Sequence, residues 1–229
     1  MNNSSGILYI VSTPIGNLKD ITLRAVEVLK EVDLIAAEDT RQTKKLLSHY
    51  SIRTGLISYY EHNKLTRSEL LLKKLKQGNN IALVCNAGTP GICDPGYLIV
   101  NIAIKSAVKI VPVPGASAFL CGLQAGGAAT DSFIFVGYLP PKTKKRKDRF
   151  REIAGENRTV VFYEAPHRLL KSLNDMIEVL GNRKIIITRE LTKKFEETRR
   201  ENISQSIEHF SITNPRGEFV VIIPKRGKL

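Results

Sequence analysis

The sequence contains few cysteines and few histidines. Only Cys85, Cys93 and Cys121 occur among 229 residues, with no Cys-x-x-Cys pair, and the four histidines are scattered. Because a zinc site needs clustered thiol and imidazole ligands, no metal centre is predicted. Sparse cysteines in odd number also favour a reducing, cytoplasmic compartment over a disulfide framework.

Long apolar runs are missing as well. The longest are strand-sized, whereas a membrane helix needs about 20 apolar residues, so no membrane contact is expected. The start, MNNSSGILYIVSTPIGN, lacks the basic and apolar regions of a signal peptide. No Gly-x-Gly-x-x-Gly follows the first predicted strand, and the P-loop pattern is absent. Neither a Rossmann dinucleotide site nor a P-loop is therefore predicted.

Acidic residues are the scarcer charged type. The chain has 35 Lys and Arg against 22 Asp and Glu, a net charge of +13. Residues 1–115 contain 14 basic and 9 acidic side chains, and residues 116–229 contain 21 and 13. Both halves are basic, as expected for a protein that contacts a polyanion such as nucleic acid.

Strand-like and helix-like segments alternate along the chain, which predicts an α/β fold. Residues 1–115 are predicted to form an N-terminal α/β domain. Residues 116–229 are predicted to form a C-terminal α/β domain with a mixed sheet, with a hinge at Pro112–Ala118. Among the helices, one is expected through Lys45–His49, one opened by a Thr66–Glu69 capping box, and one opened by Pro166. Little helix is expected between the last two strands, Phe195–Glu201 and Glu218–Pro224.

The segment Ile81–Gly96, IALVCNAGTPGICDPG, is the most informative part of the chain. An apolar strand ends there in a turn rich in glycine and proline, with Asn86, Thr89 and Asp94 as polar side chains at its rim. Open α/β sheets bind small molecules at such strand ends. An ordinary Gly/Pro turn would have the same composition.

Nine segments in this order resemble the bacterial small-subunit ribosomal RNA 2′-O-ribose methyltransferases of the tetrapyrrole-methylase superfamily. They are TPIGNLKDITLRA (13–25), AEDTRQTKKLL (37–47), YYEHN (59–63), AGTPGICDPG (87–96), VPGASA (113–118), FVGYLP (135–140), FYEAPHRL (162–169), ITREL (187–191) and RGEFVVII (216–223). The resemblance implies two α/β domains with S-adenosylmethionine in the cleft between them, and a homodimer. The implied substrate is a cytidine ribose in the decoding region of 16S ribosomal RNA, as naked RNA or in the assembled small subunit.

The resemblance also implies positions for cofactor contacts. By position these are Asn86, Ala87, Gly88, Thr89, Ile92, Ser117, Ala118, Tyr163, Glu164 and Ala165. The family usually has Ser-Asp before Ala-Gly-Thr-Pro and Ser before Asp-Pro-Gly, whereas this chain has Cys85, Asn86 and Cys93. Asn86 offers the cofactor's ammonium group only a neutral carbonyl. Either the affinity is lower, or another carboxylate takes the place of the usual aspartate.

Methyl transfer to a ribose requires a group that accepts the hydroxyl proton. The candidate catalytic residues are Glu38, Asp39 and Glu164, with His62 and His167 as further titratable groups. Asp39 would serve equally well in an ion pair with Arg41 or as a helix N-cap. Glu164 ends a predicted strand, where site residues are frequent.

The run PPKTKKRKDRFR, residues 140–151, has seven basic residues and one acidic residue. It is interpreted as an RNA surface, although such a run is often only a solvated helix face. The RNA-binding candidates are Lys142, Lys144, Lys145, Arg146, Lys147, Arg149, His167 and Arg168. Two other functions stay open: a small-molecule tetrapyrrole methyltransferase, and a catalytically silent RNA-binding factor.

Overall fold

The structure, a computed structural model, describes residues 5–225. The chain divides into two compact units, one that ends at Ser117 and one that begins at Ala118. Each unit is a sheet with helices, so the α/β class predicted from the sequence is confirmed. Within the described residues, no helix is long and apolar enough to cross a membrane.

In the first unit strands and helices alternate without exception. In chain order they are β1 Ile7–Val11, α1 Leu23–Glu31, β2 Leu34–Ala37, α2 Thr40–His49, β3 Leu56–Ser58, α3 Lys64–Lys76, β4 Ile81–Val84, α4 Gly96–Lys105 and β5 Lys109–Val113, with a 3-10 turn at Leu18–Asp20. The strands form one parallel sheet in the order β3-β2-β4-β1-β5. Parallel neighbours need a crossover, and the amphipathic helices supply it.

Helices cover both faces of this sheet. Val84 packs in a cluster with Leu29 of α1 and Leu47 of α2. Its neighbour Leu83 points to the other face and packs with residues of α3 and α4, including Leu71. All four residues of β4 are buried. Because all five strands are parallel, their carboxyl ends lie at one edge of the sheet, together with the loops that follow them.

The second unit contains a mixed sheet, as predicted. Its elements are α5 Ala118–Gly126, β6 Phe133–Tyr138, α6 Thr143–Ala154, β7 Thr159–Glu164, α7 Pro166–Leu180, β8 Lys184–Arg189, β9 Glu197–Asn202, α8 Ile203–Thr213 and β10 Phe219–Ile223. The strand order is β6-β7-β10-β8-β9; β6 and β7 are parallel and the other pairs antiparallel. Residues of α6, α7 and α8 pack with one face of the sheet in a single core cluster.

Three local predictions were wrong. A full helix, α8, lies between the last two strands, because Ile203 and Phe210 place buried apolar groups seven residues apart on one helical face. Helix α2 begins at Thr40 rather than near Lys45. Helix α3 begins at Lys64, so Thr66 is already helical and its hydroxyl donates to the Asn63 carbonyl instead of capping.

Arg146, predicted to bind RNA, lies in the interior of the second unit. Only 1% of its surface is exposed. Its guanidinium donates from Nε to Asp175 Oδ2 (2.8 Å) and from a terminal nitrogen to the Pro141 carbonyl (3.0 Å). A guanidinium is tolerated inside a protein only when it is paired in this way. Arg146 therefore joins α6 to α7 and does not belong to the basic surface.

Arg146→Ala is expected to lower the free energy of unfolding by about 3–5 kcal/mol, because it leaves the Asp175 carboxylate largely buried without its main partner. Lys145→Ala removes an equal charge from the neighbouring, exposed position. This substitution is expected to change the free energy of unfolding by less than about 0.5 kcal/mol. Urea denaturation followed by circular dichroism measures both. Equal effects of the two substitutions would contradict the structural role of Arg146.

Candidate functional site

The loop that follows β4 is fastened to Thr13, two residues beyond the end of β1. The Gly88 N–H donates to the Thr13 carbonyl (3.0 Å), and the Thr13 N–H donates to the Gly88 carbonyl (2.8 Å). The Thr13 hydroxyl also donates to the Cys85 carbonyl (3.2 Å). β1 and β4 are parallel neighbours in the sheet, and beyond their ends Thr13 and Gly88 form a separate antiparallel bridge. The sequence analysis missed this role of Thr13.

The same loop is joined to the segment after β5. The Ser12 hydroxyl donates to Thr89 Oγ1 (3.1 Å), and the Thr89 hydroxyl donates to the Ala116 carbonyl (3.3 Å). Gly115 allows this approach, since a Cβ atom there would lie only 2.9 Å from the Ser12 Cβ. Thr89 thus faces inward and connects three strand ends.

Asp94 fixes the outer half of the loop. Its carboxylate accepts hydrogen bonds from the Gly91 N–H (2.8 Å) and the Gly96 N–H (2.7 Å). It was expected as a polar side chain at the rim of the turn, and the structure shows that it braces that turn. The exposed positions of the loop are Asn86, Ala87, Gly91, Ile92 and Cys93, and Asn86, Ala87 and Ile92 are those predicted to contact the cofactor.

The two adjacent acids of the first unit have different surroundings. Glu38 Oε2 accepts a hydrogen bond from the Asn86 N–H (3.1 Å) at the base of the loop. Asp39 caps α2 through the Arg41 N–H (2.8 Å) and pairs with the Arg41 side chain (2.9 Å). The side-chain and backbone hydrogen bonds of Arg41 lower the pKa of Asp39 to about 2. Asp39 therefore fills both structural roles that the sequence analysis left open.

Glu164 of the second unit is buried and partnered. It accepts a hydrogen bond from the Ala165 N–H (2.9 Å) and another from the Ser172 hydroxyl. Arg168 Nε lies 3.2 Å from its carboxylate. Arg168, predicted to bind RNA, thus has an anionic partner within this chain, and its side chain is 18% exposed. Glu164 holds the start of α7 and does not face solvent.

Two of the segments predicted to contact the cofactor meet within the second unit. The Phe119 N–H, directly after Ala118, donates to the Tyr163 hydroxyl (3.2 Å). The ring of Phe135 lies between them, stacked on Phe119 at 4.5 Å and edge-on to Tyr163 at 4.9 Å. Ser117, the last residue of the first unit, is buried.

The basic surface of α6 is smaller than predicted. Lys147 pairs with Glu178 and Arg149 with Glu152, both at 2.5 Å. Within the run 140–151, the exposed basic residues that form no ion pair with any described residue are Lys142, Lys144 and Lys145. His167, in the first turn of α7, is also exposed. In the same part of the chain, no three His, Cys, Asp or Glu side chains group in a way that could hold a metal ion.

Residues 7–206 match the family model described as Tetrapyrrole (Corrin/Porphyrin) Methylases. The chain belongs to the tetrapyrrole methylase family. Among its relatives, Ribosomal RNA small subunit methyltransferase I of Halalkalibacterium halodurans is 48% identical over 99% of this chain and 78% of its own length. The Bacillus subtilis protein of that name is 49% identical over 95% of this chain and 75% of its own length. These relatives confirm the resemblance found in the sequence.

Solved structures of this methylase fold agree at low sequence identity. A diphthine synthase matches with a TM-score of 0.76 at 13% identity, over 98% of this chain and 92% of its own. Uroporphyrin-III-C-methyltransferase from Thermus thermophilus matches with a TM-score of 0.67 at 15% identity, over 95% and 94%. At such identities the likeness shows the fold alone.

Two departures from the family pattern in this methylase, Cys85 and Cys93, lie in contrasting environments. Cys85 is 6% exposed, and burial, assisted by the carboxylates of Asp94 and Glu38, raises its pKa to about 12. Cys93 is exposed. The Cys85 thiol is therefore a neutral packing group, and its position excludes a nucleophilic role.

At pH 8, iodoacetamide is expected to modify Cys93 rapidly and to leave Cys85 unmodified. With a pKa of about 12, roughly one Cys85 thiol in ten thousand is ionised at that pH, and only the thiolate reacts. Peptide mass mapping identifies the alkylated site, and Cys93→Ser serves as the control. Unfolding in urea before labelling should expose Cys85. Labelling of Cys85 in the folded protein would mean that the loop opens.

Proposed function

We propose that the chain transfers a methyl group from S-adenosylmethionine to the 2′-hydroxyl of a cytidine ribose in the decoding region of 16S ribosomal RNA. The observation that carries this proposal is the 48% identity, over 99% of the chain, to a Ribosomal RNA small subunit methyltransferase I. The net charge of +13 suits a nucleic-acid substrate. The structural relatives that act on small molecules share far less sequence, 15% for the Thermus enzyme.

The residues at the carboxyl edge of the first sheet fit the proposed cofactor. The loop is fixed by Thr13 and Asp94, so it does not have to be ordered when the ligand binds. Gly88 adopts a φ of +82°, which favours a residue without Cβ, and its N–H and carbonyl are both bonded to Thr13. The proposed contacts are Asn86, Ala87, Gly88, Thr89, Ile92 and Ser117 in the first unit and Ala118, Tyr163, Glu164 and Ala165 in the second.

The chemistry asks the protein to position one hydroxyl and to remove its proton. S-adenosylmethionine would supply the methyl group from its sulfonium, and the demethylated cofactor would leave as a neutral thioether. Positioning can contribute much of the rate enhancement. Glu38 is the best-placed proton acceptor of the three acids, since only its Oε2 is used by Asn86. The low pKa of Asp39 makes it a weak base, and Glu164 is buried.

We also propose that Lys142, Lys144, Lys145 and His167 contact phosphates of the RNA. Their exposure and the absence of ion pairs within the described residues leave the three lysines available for phosphates. A homodimer would present two such surfaces to one ribosomal RNA, free or in the assembled small subunit, and so extend the footprint.

The function is tested by mapping ribose methylation on 16S ribosomal RNA from cells with and without this protein. One 2′-O-methylcytidine is expected to disappear and to return with the parent gene. Glu38→Gln is expected to lower the single-turnover rate by about 100-fold or more, as for a lost general base. The matched exposed change Glu69→Gln should restore methylation fully.

Other outcomes separate the rival functions. An unchanged methylation map would overturn the proposal. If calorimetry then finds no binding of S-adenosylmethionine, the silent RNA-binding factor is favoured. If the cofactor binds and a tetrapyrrole is methylated instead, the small-molecule enzyme is favoured.

The cofactor site is tested by Ala87→Leu. Ala87 is exposed on the loop, so the added atoms should fill ligand space and weaken S-adenosylmethionine binding roughly tenfold or more. Gly88→Val is a poorer probe, because the positive φ of Gly88 would also strain the fold. Gln77→Leu, at an exposed remote position, is the control. Calorimetry measures the affinity, and unchanged binding by Ala87→Leu would exclude this loop as the site.

A further inference from the structure

A groove of about 570 Å³ lies on the first unit, between α2 and the edge strand β3. Three of its lining residues are apolar, three carry hydroxyl groups and three are basic. The lining residues are Thr40, Arg41, Lys44, Leu47, Ser48, Ile52, Arg53, Thr54 and Leu56. From Thr40 to Ser48 the wall formed by α2 extends about 12 Å, at the helical rise of 1.5 Å per residue. None of the functional assignments made above uses this groove.

The charge of the groove has one sign. Three basic side chains line it, and none of its lining residues is acidic. The charge of Arg41 is offset by its ion pair with Asp39. Lys44 and Arg53 are exposed, and neither forms an ion pair with any residue between 5 and 225. These two cations therefore lack a counterion among the described residues, and they would attract an anionic ligand.

The groove begins at the edge of the sheet where the loop after β4 lies. Glu38 and Asp39 connect β2 to α2, and Glu38 Oε2 accepts the hydrogen bond from the Asn86 N–H at 3.1 Å. Thr40 and Arg41, at the groove's first turn of helix, follow directly. A flexible polyanion that enters along Lys44 and Arg53 is thus led toward the proposed methyl-transfer loop.

We propose that this groove binds a single-stranded segment of the RNA substrate, with phosphates on Lys44 and Arg53 and an unstacked base against Leu56, the apolar lining residue that is only half-buried. This inference rests on the proposed function. An apolar surface between two cations suits an unstacked base, as in RNA loops. The bases of a duplex stay stacked and cannot make this contact. Charge complementarity selects the RNA over a neutral ligand.

The test measures binding of a fluorescent ten-nucleotide oligouridine to the full chain at several salt concentrations. The double variant Lys44→Ala/Arg53→Ala is compared with Lys73→Ala/Lys76→Ala, which removes two exposed charges from α3 on the other face of the sheet. Loss of two phosphate contacts should make the slope of log affinity against log salt shallower by about 1.4 for a single strand. The α3 control should keep the parent slope, and calorimetry should show unchanged S-adenosylmethionine affinity for both.

Equal slopes for the two double variants would overturn the groove as an RNA site. Binding of polyglutamate that is as tight as that of oligouridine, with the same loss in the groove variant, would also overturn it, since the groove would then accept any polyanion. Methylation of 16S ribosomal RNA by the parent is measured separately. A parent that fails to methylate overturns the proposed function, while the oligouridine comparison still decides the groove.

Discussion

The paired hydrogen bonds between Thr13 and Gly88 hold the candidate site together. They form an antiparallel bridge beyond the ends of the parallel strands β1 and β4 and fasten the loop to the segment after β1. Thr89 and Asp94 then add contacts that close the loop from two sides. A binding loop fixed in this way loses little conformational entropy when its ligand arrives. The exposed Asn86 and Ala87 depend on this frame for their position.

The adjacent acids Glu38 and Asp39 have different roles because they form different hydrogen bonds. Asp39 caps α2 and pairs with Arg41, and this pairing stabilises its charged form. Glu38 uses one oxygen on the loop and keeps the other unassigned. In the second unit, Glu164 resembles Asp39 more than Glu38, because its contacts are internal. Hydrogen-bond partners separate Glu38 from Asp39, and burial separates it from Glu164.

Much of the architecture could be predicted from local patterns. The buried strands were visible as short apolar runs, and Pro166 marked the first turn of α7. Tertiary partners could not be predicted in the same way. Nothing in the basic run shows that Arg146 meets Asp175 29 residues later. Arg146 precedes Phe150 by four residues, which is about one helical turn. This spacing was the signal in the sequence that both residues lie on the buried face of the helix. The brace formed by Asp94 similarly depends on the fold of the loop itself.

Helix α6 is attached by residues on one side and exposes lysines on the other. Arg146, Phe150 and Ile153 are its buried positions, and the exposed Lys142, Lys144 and Lys145 contribute little to the core. Folding and surface charge are thus encoded at separate positions of the same helix. Substitution of these lysines therefore changes the charge of this side, residue by residue, while the buried contacts of the helix stay in place. The surface charge and the stability of this unit can be varied independently.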